Sequence, residues 1–157
     1  MEKTKIIVLK DQMNAGKTTT MWLLLMSLKE QNASVRYFYN YNEDKEDNVP
    51  NKIPQAEYRF DFVAVLEWHD KVIVLDSRGD YAKFIVSQIK WALTNDPDYI
   101  VCAIQCRDYN NIWERFDSKF PNTQYKRVFF GVEKAEDEEN ALLVKQPTVE
   151  AIMKYMA

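Results

Sequence analysis

Residues Ile6 to Thr20 read Ile-Ile-Val-Leu-Lys-Asp-Gln-Met-Asn-Ala-Gly-Lys-Thr-Thr-Thr. Ile6-Ile7-Val8-Leu9 is a short apolar run of the kind that forms a buried strand. It stops at a polar loop, the loop runs into Gly16-Lys17-Thr18-Thr19, and a long apolar segment follows. Strand, loop, Gly-Lys-Thr and helix, in that order, is the pattern of a phosphate-binding loop, or Walker A motif. Backbone N–H groups at the loop and the helix start would face phosphate oxygens, and a helix N-terminus favours negative charge. In this reading Gln12, Met13, Asn14, Ala15, Gly16, Lys17, Thr18 and Thr19 hold a nucleotide's phosphates. Lys17 reaches the β- and γ-phosphates, and the Thr18 hydroxyl holds Mg²⁺. The pattern asks for glycine five residues before Gly16, and this chain has Asp11 there. The plainer alternative is a strand-to-helix turn capped by Gly16 and Thr18.

Met13-Asn14-Ala15-Gly16-Lys17-Thr18-Thr19 resembles the phosphate loop of the type II, zinc-containing thymidine kinases, within the P-loop NTPase superfamily. Loops of that family read Met-x-Ala/Ser-Gly-Lys-Ser/Thr-Thr, and some members also lack the first glycine. The likeness runs weakly as far as about Asp44. It implies phosphoryl transfer from Mg-ATP to a small acceptor. The family often carries a four-cysteine zinc module, whereas this chain has only Cys102, Cys106 and His69. That set is too small for a closed zinc site.

Val72-Ile73-Val74-Leu75-Asp76 is the second informative stretch. Four apolar residues ending in an aspartate match the second nucleotide motif, Walker B. A strand buried on both faces reads as continuously apolar, and its carboxyl end lies where ligands gather in open α/β sheets. Asp76 would then lie beside the phosphate loop and hold Mg²⁺. Alternatively it caps the next helix. Asp76-Ser77-Arg78-Gly79-Asp80 follows with the Asp-x-x-Gly spacing of a small-GTPase switch segment. The thymidine kinases place a glutamate base directly after the aspartate, and here that position is Ser77. Asp80 is the substitute candidate, although a helix-capping role fits it better. Arg78 would stabilise charge on the transferred phosphoryl group.

Between and beyond these motifs, patterning predicts the rest of the chain. Thr18 to Glu30 is a helix, apolar on nearly all sides, ended by Asn32-Ala33. Ser34 to Tyr39 is a strand, and the strand–helix–strand spacing predicts a parallel βαβ unit. Asn40 to Ala56 is a long polar surface loop. Phe60 to Leu66 and Val72 to Leu75 read as a hairpin or a short strand-to-strand connection, with His69 as a surface turn residue in preference to a catalytic base. Tyr81 to Leu93 is an amphipathic helix and Tyr99 to Ile104 a buried strand; Arg107, just beyond it at the ligand edge, either contacts phosphate or substrate or faces solvent. Ile112, Trp113 and Phe116 mark a short helix. Arg127 to Val132 is a strand, Glu133 to Asn140 an acidic solvated stretch, and Ala141 to Val144 a last short strand. Pro147 opens a closing helix with Val149, Ile152, Met153 and Met156 on one face.

The whole, residues 1–157, reads as a single P-loop domain: an α/β, three-layer α/β/α fold with a mostly parallel sheet and helices on both faces. Apolar residues make up 46% of the chain and the net charge is −3. That balance predicts a globular protein with no nucleic-acid surface. No apolar run approaches a membrane span, no signal peptide is evident, and a reducing cytoplasm is expected.

The expected cofactors are ATP and Mg²⁺. GTP is disfavoured, because neither Gln105-Cys106-Arg107-Asp108 nor Gly131-Val132-Glu133-Lys134-Ala135-Glu136 matches the guanine signature Asn-Lys-x-Asp. Three functions stay open: a kinase or ATPase acting on an unknown small acceptor, a GTPase-like switch, and a non-catalytic nucleotide- or partner-binding protein.

Overall fold

The computed structural model describes residues 4–11, 17–78, 82–105, 111, 114–115, 118–119, 126–131 and 138–157. Seven strands are seen: β1 (Lys5–Asp11), β2 (Ser34–Asn40), β3 (Lys45–Glu46), β4 (Phe62–Trp68), β5 (Lys71–Asp76), β6 (Tyr99–Gln105) and β7 (Lys126–Gly131). The helices are α1 (Lys17–Glu30), α2 (Ala82–Leu93) and α3 (Glu138–Met156). The strands form one sheet in the order β3-β2-β4-β5-β6-β1-β7. Pairing is parallel across β5-β6, β6-β1 and β1-β7, and antiparallel across β2-β3, β2-β4 and β4-β5. The protein is thus α/β with a mixed sheet, whose parallel half carries the first motif's strand.

The central strands are buried on both faces, which is why they read as unbroken apolar runs. In β1, Ile7 and Leu9 join a core with α1 and α3, while Ile6 and Val8 join a second core with α2. Helices therefore cover both faces. Met21, Trp22, Leu24, Leu25 and Leu28 of α1 are fully buried between the sheet and α3. That position explains a helix with almost no polar face. Its end is set as expected: Asn32 adopts φ 70° and the Ala33 N–H donates to the Leu28 carbonyl at 2.9 Å, a left-handed cap of the Schellman type. The predicted hairpin is β4-β5. His69 and Asp70 make its two-residue turn at φ 51° and 61°, the backbone of a type I′ turn. No helix among the described residues is long and apolar enough to cross a membrane.

Four expectations need correction. First, β2 does not pair with β1. It points the same way, but β4, β5 and β6 lie between them, because the tight His69-Asp70 turn locks β4 to β5 and leaves β4's free edge for β2. That hairpin also gives the sheet its antiparallel half. Second, the Asn40–Ala56 loop is partly ordered structure: the chain turns at Tyr41–Asp44 and pairs Lys45 and Glu46 back onto β2, and a 3-10 turn follows at Ala56–Tyr58. Third, Ala141 to Val144 is helical, and Pro147 lies inside α3 instead of opening it. Proline in a helix interior removes one hydrogen bond, and the packing of Val149, Ile152 and Met156 onto α1 holds the helix regardless. Fourth, Glu138 to Asn140 begins α3, where acidic residues suit the helix dipole. Ile112, Trp113 and Phe116 lie outside the described residues, although their described neighbours at 111, 114–115 and 118–119 are helical.

Candidate functional site

One edge of the sheet collects the chemistry. The carboxyl ends of β1, β5, β6 and β2 lie there, and so does the start of β4, because β4 is antiparallel to its neighbours. This is the edge at which open α/β sheets bind ligands.

Asp76 ends β5 and is only 2% exposed. Tyr41, just beyond β2, donates its hydroxyl to Asp76 Oδ2 at 2.9 Å, and the Arg78 backbone N–H donates to Oδ1 at 3.1 Å. Burial pushes the Asp76 carboxyl up to about 7; the two hydrogen bonds pull it down and the nearby charge of Asp61 pushes it up. The Tyr41 phenol is raised well above its usual range by burial and by the Asp76 charge. The Arg78 guanidinium lies over the Tyr41 ring, 5.1 Å from its centre, a cation–π arrangement.

Asp61 is the second carboxylate. Its Oδ1 accepts from the Ser77 hydroxyl at 3.0 Å and from the Thr18 hydroxyl at 3.3 Å. Ser77 is itself fixed: Phe62 N–H donates to Ser77 Oγ at 2.9 Å, and Ser77 N–H donates to the Phe62 carbonyl at 3.0 Å. Asp61 therefore links the first turn of α1 to the residue after Asp76. A strap, residues 54–61, holds this end of α1 in place. Arg59 donates to the Pro54 carbonyl and to Thr19 Oγ1, and Trp22 Nε1 donates to the Phe60 carbonyl.

Thr18, Asp76 and Arg78 thus converge on one edge. Thr19 is buried and engaged by Arg59, and Lys17 is the first residue of α1. Gln12, Met13, Asn14, Ala15, Gly16, Gly79, Asp80 and Arg107 lie outside the described residues.

β6 separates β5 from β1. Asp76 is level with Cys102, and Cys102 with Val8, two strand spacings or roughly 10 Å away. Thr18, in the first turn of α1, joins the Asp61 network just before β4.

Neither a scan against protein-family models nor searches of curated proteins and of solved structures gave a match. The site must be read from its own geometry.

Asp61, Tyr41 and Arg59 were not legible as site residues. Asp61 directly precedes an apolar run, as Asp76 directly ends one. Only the antiparallel pairing of Val63 with Asp76 turns those two positions into neighbours.

Thr18, Asp61 and Asp76 are oxygen donors at this edge that could hold a metal ion. No group of three or more His, Cys, Asp and Glu side chains that could hold a metal occurs among the described residues. Magnesium commonly takes one or two carboxylates, with water and phosphate oxygens completing its shell. The Thr18 hydroxyl gives its proton to Asp61, so its oxygen lone pairs can face a cation. A carboxylate that orients a ligating group from behind is a familiar outer-shell arrangement.

Proposed function

We propose that this chain is a phosphate-loop protein of three-layer α/β/α build that binds a magnesium nucleotide at the carboxyl edge of its sheet, and that it transfers or hydrolyses the terminal phosphoryl group. The observation that carries the reading is the chain of contacts from Thr18 through Asp61 to Ser77, beside buried Asp76. It joins the start of the helix after Gly16-Lys17 to the end of the second apolar strand.

In this reading the N–H groups at the start of α1 and Lys17 take the phosphates. Thr18 and Asp76 hold Mg²⁺, and Asp61 keeps the Thr18 hydroxyl proton turned away from the cation. When bound, the ion offsets charge on the phosphate oxygens. Arg78, one residue beyond Ser77, supplies positive charge at the same edge. ATP is the expected nucleotide and a small molecule the expected acceptor. A GTPase-like switch is the second reading, favoured by the β4-β5 hairpin directly before Asp76-Ser77-Arg78-Gly79.

Thermal unfolding with Mg-ATP, Mg-GTP and no nucleotide, on wild type and Lys17→Ala, tests this. A nucleotide at about 100 times its Kd stabilises by roughly 2.7 kcal/mol, a shift of several degrees. A shift with ATP that disappears in Lys17→Ala supports the first reading, and a shift with GTP alone supports the second. No shift with either at millimolar concentration overturns nucleotide binding.

A further inference from the structure

A second feature lies on the sheet face opposite α1. Tyr37, Tyr39 and Tyr41 are spaced by two along and just past β2, so their rings share the face that α2 covers. Tyr37 and Tyr39 are nearly parallel, with ring centres 6.3 Å apart and planes 13° apart. Trp91 of α2 closes on Tyr37 at 5.6 Å. Between β2 and α2 these rings border a cleft of about 310 Å³, which Val63, Arg78, Ser87 and Gln88 also line. Gln88 Nε2 is buried and has no hydrogen-bond partner among the described residues. A buried amide donor without an acceptor is uncommon in folded proteins and calls for an explanation.

We propose that this cleft binds a planar heteroaromatic ligand, about the size of a fused bicyclic ring, that presents a ring nitrogen or carbonyl to Gln88. The aromatic walls select a flat ring, which gains from stacked or edge contacts with tyrosine and tryptophan. The volume is at the lower end of the range for small-molecule sites, and such sites combine apolar walls with a few placed polar groups. The orphan Gln88 donor specifies the polar atom. A purely hydrocarbon ring would leave that donor buried and unpaired, so the site discriminates between rings of equal shape. The cleft shares Tyr41 and Arg78 with the carboxyl-edge site, but the inference rests on the aromatic walls and Gln88 and not on nucleotide binding.

The test uses the full chain with quinoline and naphthalene, rings of the same shape that differ in one acceptor nitrogen. Binding is followed by NMR titration, with folding of each variant checked by circular dichroism. Quinoline is expected to bind wild type in the millimolar range and more tightly than naphthalene. Gln88→Leu should weaken quinoline about fivefold and leave naphthalene unchanged or improved. Trp91→Ala, at a partly exposed position, should weaken both rings about fivefold. The proposal is overturned if wild type binds neither ring up to its solubility limit, or binds both equally. It is equally overturned if folded Gln88→Leu still prefers quinoline as wild type does.

Discussion

Tyr41 donates its hydroxyl to Asp76 Oδ2 at 2.9 Å, and the bond joins the end of β2 to the end of β5 across the intervening β4. A phenol donor stabilises the ionised carboxylate more than the neutral acid. Tyr41→Phe should therefore raise the Asp76 pKa above its already elevated position. It should also cost about 1–3 kcal/mol at pH 8, where the carboxylate is charged and left short of a donor. The cost should shrink at pH 5. Urea unfolding of both proteins at the two pH values checks this, and an equal loss at both would sink it.

The Asp76 carboxyl itself makes a pH prediction. Its folded pKa is raised to about 7 from 3.8. Below pH 4 the acid is protonated in both the folded and unfolded states, and its folded-state advantage is fully present. As pH rises, the unfolded chain ionises first, so stability falls between about pH 4 and 7 and then levels. Asp76→Asn should remove this component and gain on the order of 2–4 kcal/mol relative to wild type between pH 4 and pH 8. The readout is the difference between the two stability-versus-pH curves without ligand. Parallel curves would contradict the buried, raised carboxyl.

Asp61 separates two roles. Asp61→Asn keeps an acceptor for Thr18 and Ser77 but removes a charge that raises Asp76. It should cost less than about 1 kcal/mol and lower the Asp76 pKa. Asp61→Ala leaves both hydroxyls without their acceptor and should cost about 1–3 kcal/mol. It should also weaken stabilisation by any magnesium nucleotide. Denaturant titration ranks the variants; equal stability of the two would remove Asp61 from the network.

Trp22 anchors the strap to α1. It is fully buried, with its ring centre 4.6 Å from that of Phe62 and 5.1 Å from that of Phe60. Trp22→Ala should cost about 3–5 kcal/mol. Trp22→Phe should cost less, keeping the aromatic contact and losing the indole bond to the Phe60 carbonyl. Unfolding free energies with unchanged m-values are the check.

The His69-Asp70 turn is a structural device with both residues at positive φ. Replacing the pair with Asn-Gly, which the type I′ backbone prefers, should stabilise by roughly 0.5–1 kcal/mol. Nucleotide response should not change, since His69 is exposed at the edge away from Asp76. Loss of that response would give His69 a functional role beyond the turn.

The two apolar runs ending at polar loops, 6–9 and 72–75, were legible because double-sided burial requires continuous β-branched and aliphatic residues. The hairpin and the cap of α1 were legible because turn and cap chemistry is local. The segment around Pro147 was misread for the same reason. Locally, proline ends or starts a helix; in the fold, packing against α1 outweighs the one lost hydrogen bond.

By itself, then, the sequence determined which segments are strands and helices over most of the described chain, and that Asp76 ends a buried strand while Thr18 lies in the first turn of a helix. Only the tertiary structure decided that β4, β5 and β6 separate β2 from β1. It alone brought Asp61 between Thr18 and Ser77, laid Tyr41 on Asp76, and set three tyrosines against Trp91. The division has a physical cause. Hydrophobic periodicity and turn preferences act over a few residues and are written in order along the chain. Strand neighbours and hydrogen-bond partners 35 or 43 residues apart, as for Tyr41–Asp76 and Thr18–Asp61, are chosen by which long-range pairing buries the most apolar surface while satisfying the polar groups it encloses.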